Sequence, residues 1–462
     1  MIEKYAHRLL TRIWDLEETG NNYRFLEQLI ILGVVLLSGS LYYASFGENI
    51  LLLPFAVGLA AIFLLRKCSI SRPALFYAMA LLVIVLINSN SKHSTTAVLM
   101  LNLIIAFFIT SLIPIQRFAK AYLQCIVVLS VCSWLAIPIW ILGMPSPLPD
   151  FLSIIDGHYQ NYIVVGIWNP MLSIDGMGLF RNAGLFWEPG AFQYFVNTAF
   201  LLGILFSLIT QRIYFILLVT ILTANSTAGL IIFSILSLFH VYSVKLTWSQ
   251  ALKGLVGVVL AFMVVHILMK QEFVQSEGEP LKFRSAWSLH GPQEKHAVKT
   301  PHVFFGSNVE KFERGSTSYG SYNARFHDFI IDWELLKVYP LQGIGLGNFA
   351  AREEYGIKVL GEKGYWSTLP PGADGFFLMM VQLGLLGSLL LYPIAMPRYL
   401  NKHKLFIRLG VAGVTVMLLC GENMFLYGLP WILAMYGVVG MATDDKIPAE
   451  EKRIQSSGLT KQ

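Results

Sequence analysis

Charge is scarce in this chain. Of 462 residues only 13% are Asp, Glu, Lys or Arg, about half of the ~25% usual in soluble domains. Hydrophobic types make up 55%, and the mean hydropathy is +0.60. This balance excludes a disordered chain and argues against an ordinary soluble enzyme. It points to a membrane protein with many spans. Cysteine is scarce too. The four residues Cys68, Cys125, Cys132 and Cys420 show no CxxC spacing, which excludes a disulfide-stapled or zinc-ribbon protein. They read as small core residues. Residues 1–24 are too long and too acidic for the leading region of a signal peptide. The formal net charge of +6 does not predict a nucleic-acid partner, because in a membrane protein the placement of charge matters more than its sum.

What the chain does have is apolar runs. A spanning helix needs ~20 mostly apolar residues, and twelve segments qualify: 26–46, 50–65, 73–89, 95–114, 120–143, 191–210, 213–224, 228–244, 251–269, 374–396, 405–421 and 424–441. With the N-terminus inside, 20 of the 34 Lys and Arg residues fall on the same side, and every connection there is basic. The short outer loops carry only Lys92 and Arg181, and 12 lie in the long loop 270–373. Long loops are largely exempt from the positive-inside rule. The expected fold is therefore an all-α polytopic membrane protein with about 12 spans and both termini cytoplasmic. It divides into an N-terminal segment with spans 1–5 (1–143), a first outer loop (144–190), spans 6–9 (191–269), a large outer loop (270–373), spans 10–12 (374–441) and a cytoplasmic tail (442–462). The spans hold almost no charge, which argues against a proton pump or an ion-coupled transporter.

Chemistry-bearing residues gather in the two outer loops. Loops of this length are usually functional or disordered. The first loop ends Phe180-Arg181-Asn182-Ala183-Gly184-Leu185-Phe186-Trp187-Glu188-Pro189-Gly190. Pro189 suits the first turn of a following helix, and a carboxylate at Glu188 suits that helix N-terminus. A plain interfacial cap is the modest reading of the segment. In the second loop, residues 271–320 are polar and rich in Gly, Ser and Lys. Residues 322–348 carry a helical pattern, with Phe326, Phe329, Ile330, Trp333 and Leu336 at three- and four-residue steps. Tyr322, Arg325 and His327 lie at the start of that pattern. Pro340, Gly343, Gly345, Gly347 and Asn348 lie at its end. The glycines read either as a flexible turn or as backbone passing close to a bound phosphate or sugar. Asp374 opens the tenth span, where an N-cap would explain it. Asn225-Ser226-Thr227 and Glu422-Asn423 are weaker polar elements that the topology places on the same face. Arginine grips pyrophosphate with two-toothed hydrogen bonds, and a carboxylate can accept a proton from an attacking hydroxyl.

The pattern R-x-x-G-x-F-x-E-P at Arg181, Gly184, Phe186, Glu188 and Pro189 resembles the bacterial O-antigen polymerases of the Wzy type. The run from Arg325 through Pro340 and the three glycines to Phe349 resembles the large outer loop shared by those polymerases and the O-antigen ligases. Ligases carry a histidine just before the tenth span. Aligning Gly384 and Gly387 on the ligase glycines puts Ala373 at that histidine, and alanine cannot move a proton. The departure favours a polymerase.

The resemblance implies a GT-C-like glycosyltransferase in the bacterial inner membrane with a periplasmic active site. Its substrates would be oligosaccharides linked to undecaprenyl pyrophosphate, with no metal or other cofactor, and its partners would be membrane lipids and a chain-length regulator protein. It further implies Arg181, Arg325, Glu188 and Asp374 as catalytic residues. Substrate binding would fall to Gly184, Trp187, Tyr322, His327, Gly343, Gly345, Gly347 and Asn348. His327 also reads simply as a solvated surface histidine. The rival readings are an O-antigen ligase and a lipid-linked oligosaccharide flippase.

Overall fold

A computed structural model describes residues 22–40, 48–68, 70–89, 93–134, 159–162, 167–174, 177–180, 182–186, 189–244, 317–360, 375–401, 405–421 and 424–440. The expected span 251–269 lies outside them, as do Arg181, Trp187, Glu188 and Asp374. Fourteen α-helices are described. In chain order they are α1 (Asn22–Leu37), α2 (Glu48–Leu65), α3 (Arg72–Ile87), α4 (His93–Leu112), α5 (Ile115–Trp134), α6 (Pro189–Leu205), α7 (Gln211–Ala224), α8 (Thr227–Val244), α9 (Thr317–Val338), α10 (Phe349–Leu360), α11 (Gly375–Ser388), α12 (Tyr392–Ala395), α13 (Leu405–Gly421) and α14 (Gly428–Val439).

Among the described residues two helices are long and apolar enough to cross a membrane, Thr95–Leu112 and Ile115–Trp134, and nine shorter apolar helices accompany them. Together these occur at eleven of the twelve apolar segments. Helices α2 and α3 are apolar around their whole circumference, as helices without a water-facing side are. Their outward residues stay uncovered, Leu65 at 82% and Ile87 at 75% exposure. An apolar exterior of this kind marks an interaction surface.

Helix α6 is the hub of one half of the bundle and packs against α5, α7, α8 and α13. In the other half α4 packs against α2, α3 and α14. The Tyr122 hydroxyl donates to the Phe195 carbonyl at 3.2 Å and joins α5 to α6. Likewise Asn102 donates to the Leu426 carbonyl at 2.8 Å, tying α4 to the segment before α14.

Two features depart from a plain all-helical reading. The first loop contains an antiparallel meander of β1 (Tyr159–Tyr162), β2 (Ile167–Ile174) and β3 (Met177–Phe180). In the register of β2 and β3, Ile174 pairs with Met177. The tenth apolar segment is also broken rather than continuous. Gly384 sits at φ 68° and ψ 177°, and the chain continues through a 3-10 turn at Leu389–Leu391 into α12.

Candidate functional site

The segment 182–186 is fully seated in the end of the bundle. Asn182 anchors it. Its Nδ2 donates to Ser133 Oγ at 2.8 Å and to Thr223 Oγ1 at 3.2 Å, and its own N–H donates to the Thr223 carbonyl at 3.0 Å. Its Oδ1 accepts from the Gly184 N–H at 2.9 Å. Gly184 is left-handed at φ +56°, where a Cβ would lie 3.1 Å from the Phe192 ring. Phe186 stacks on Phe192 and Phe195 with centroids at 5.5 and 4.3 Å, and it bridges to Ser40 after α1. Pro189 opens α6, as its missing N–H allows. Arg181 and Glu188 flank this anchored stretch in the chain.

Beneath it lies a band of buried polar side chains: Ser130, Ser133, Asn182, Gln193, Asn197, Thr220, Thr223, Asn225 and Ser226. All are amides or hydroxyls. Two of these groups were foreseeable as polar loop residues, Asn182 and the Asn225-Ser226 pair. Gln193 and Asn197 were not, because they are isolated in an apolar run and only packing shows what they face.

The second loop is built differently. On α9 the buried stripe is Ile331, Asp332, Leu335 and Leu336, with Asp328 beside it. The expected apolar face is therefore rotated. Trp333 is 47% exposed, while Phe329 meets Phe377 of α11 edge-on at 4.7 Å. Two aspartates stand on the inner stripe because Arg352 of α10 reaches them. Its Nε lies 2.7 Å from Asp332 Oδ1, and its Nη2 lies 3.3 Å from Asp332 Oδ2 and 2.8 Å from Asp328 Oδ1. The side chains of Arg352 and Asp332 are 3% and 0% exposed. Burial alone would lower the guanidinium pKa. The charge and hydrogen bonds of Asp332, then of Asp328, outweigh it, so Arg352 is held above its ordinary value. Hydropathy patterning missed this clamp, because it reads charged positions as outward. The i, i+4 spacing of Asp328 and Asp332 on one face with Ile331 and Leu335 was the available hint.

Helix α9 also carries Tyr322, Arg325 and His327, whose side chains lie outside the described set. The clamp fixes the helix to which these three residues belong in sequence.

The glycines after α9 approach protein backbone. Gly343, Gly345 and Gly347 all have positive φ, at 71°, 90° and 69°. The break in α11 frees the carbonyls of Val381 and Gln382, which accept from Ile344 N–H at 2.9 Å and Gly345 N–H at 3.1 Å. In return Leu385 N–H donates to the Pro340 carbonyl at 2.8 Å. A Cβ on Gly343 would lie 2.5 Å from both Gly384 N and Val381 O. Leu346 N–H donates to the Asn88 carbonyl at 2.7 Å. Asn348 caps α10 by accepting from Ala351 N–H at 3.3 Å and donates to the Ile344 carbonyl at 3.0 Å. The N–H groups of Gly343 and Gly345 are thus taken by protein carbonyls, Gly343 donating to Tyr339 at 3.2 Å, and neither is left to cradle a phosphate. The segment stitches α9 and α10 to a helix break rather than forming a loose turn.

No family model, curated protein or solved structure matches the chain.

Proposed function

We propose that the chain is a twelve-span O-antigen or related polysaccharide polymerase of the Wzy type, acting at the periplasmic face of a bacterial inner membrane. The observation that supports this most is the distribution of buried polarity. Uncharged buried side chains, Ser133 and Thr223, hold Asn182 in the segment that joins Arg181 to Glu188. The clamped helix bearing Arg325 belongs to the loop stitched to the bundle through Asn88 and Ser89.

In this reading a hydroxyl of the incoming lipid-linked repeat unit attacks the anomeric carbon of the growing glycan. The bond from that carbon to the pyrophosphate oxygen breaks, and undecaprenyl pyrophosphate leaves. Glu188 or Asp374 orients the hydroxyl and takes its proton, with His327 as a further candidate base. Arg181 and Arg325 bind the pyrophosphate and stabilise the charge that develops on it. Tyr322, Trp187 and Gly184 line the path of the glycan.

The test is purified protein with undecaprenyl-pyrophosphate-linked repeat unit, without added metal or nucleotide, and products resolved on a gel. A ladder of longer lipid-linked glycans is expected. Arg181→Ala and Arg325→Ala should each lower its rate ~10²–10³-fold, with unchanged yield of folded protein. Transfer appearing only when lipid A-core is supplied would make the protein a ligase. Movement of the lipid across a vesicle without any new glycosidic bond would make it a flippase.

A further inference from the structure

Gln193 and Asn197 sit one turn apart on α6, both 0% exposed. Asn197 Nδ2 donates to Gln193 Oε1 at 3.0 Å and to the Gly229 carbonyl of α8 at 3.2 Å. That leaves Gln193 Nε2 and Asn197 Oδ1 without a hydrogen-bond partner. Flipping both amides would still leave a donor and an acceptor over, and would set Asn197 Oδ1 against the Gly229 carbonyl. Asn225 Oδ1, four residues before Gly229, is a second open acceptor in the same band. A buried amide group left unpaired costs about 1–3 kcal/mol, so this open pair is not what packing alone would select.

Gly421 stands near Gln193 Nε2: a Cβ there would lie 3.7 Å from Nε2 and 4.0 Å from the Ala228 Cβ. The charge of the band narrows the occupant. Every buried polar side chain in it is neutral, and a phosphate in such surroundings would need a cation beside it. An open donor and an open acceptor on one bonded pair of side chains match a group that both accepts and donates, which is a hydroxyl.

We infer that Gln193 and Asn197 form a subsite that reads one sugar hydroxyl of the lipid-linked glycan. The inference rests on the polymerase reading and adds to it a specificity-determining pair. Because both side chains are buried, a sugar lacking the matching hydroxyl would leave both amides unpaired, which is how buried polar sites reject close analogues.

The experiment measures binding in nanodiscs by native mass spectrometry. The two probes are undecaprenyl pyrophosphate and the same lipid bearing the repeat-unit oligosaccharide of the strain that encodes this chain. Gln193→Met removes the open donor at similar volume. Gly421→Ala adds one methyl at ordinary contact distance and so keeps the fold while filling the space over Nε2. Both variants should weaken binding of the glycan-bearing lipid about 10-fold or more and leave the bare lipid within about twofold. Equal loss for both lipids, or no loss, overturns the subsite. No loss together with a higher melting temperature for Gln193→Met would show that the pair holds only a trapped water. If the wild type binds neither lipid, the polymerase reading falls and the subsite with it. If the wild type binds both lipids and the variants weaken binding of both equally or of neither, the subsite alone falls.

Discussion

Two glycine-bearing loop segments meet the same end of the helical bundle, and they use their polar groups in opposite ways. In 340–348 the N–H groups of Gly343, Ile344, Gly345, Leu346 and Asn348 all have protein acceptors, and at Gly343 the missing Cβ lets two backbones touch. In 182–186 a single side chain, Asn182, holds the segment, and the amides below it keep open donors and acceptors. A saturated segment supports structure. A segment laid over unsaturated groups has chemistry left to offer. The difference separates glycines that resemble a phosphate cradle in sequence from residues that still have hydrogen bonds to give.

The contrast can be broken most strongly at the clamp. Arg352→Ala removes the guanidinium between Asp332 and Asp328 and should cost about 3–5 kcal/mol, as breaking a buried pair does. Thermal unfolding in detergent reads this, and an unchanged melting temperature would mean the clamp holds nothing. Arg352 has its pKa raised, so its charged-state contribution is fully present below the ordinary guanidinium range. It would be lost only as pH rose through the still higher folded value. Its share of stability should accordingly be flat across all working pH values.

The glycines come next. Gly343→Ala sets a Cβ against fixed backbone at 2.5 Å with φ 71° and should cost about 2–4 kcal/mol. At Gly184 the obstacle is the Phe192 ring at 3.1 Å, which can shift. Gly184→Ala should cost only about 1–2 kcal/mol in stability while disturbing turnover more than Gly343→Ala does per unit of stability lost. Equal ratios of activity loss to stability loss would erase the distinction between the segments.

The smallest effect sharpens the same point. A Cβ added to Gly58 in α2 would project into open space, with nothing within 4 Å of it. Gly58→Ala should therefore stabilise by about 0.5–1 kcal/mol without touching turnover. A destabilising result would show that α2 needs its glycine for a neighbour outside the described residues.

Hydropathy placed helices at eleven of the twelve apolar segments, because an apolar run long enough for a helix is a local property. The flanking motif residues, Pro189 at the start of α6 among them, were legible for the same reason. The break at Gly384 was not. A glycine in an apolar helix is tolerated in many places, and only the arrival of 340–346 makes a break stable by pairing with its freed carbonyls. The buried aspartates of α9 were not legible in the pattern, because their partner Arg352 lies 20 residues on from Asp332.

The sequence alone determined the apolar character of the chain, the order of its helices and the two loops in which charged and glycine-rich motifs collect. These follow from side-chain type and spacing along a few turns. Tertiary structure decided which polar groups are spent and which are left open. Gln193 and Asn197 are inconspicuous in an apolar run until α8 and Gly421 close around them, because whether a hydrogen bond is satisfied depends on atoms brought from elsewhere in the chain.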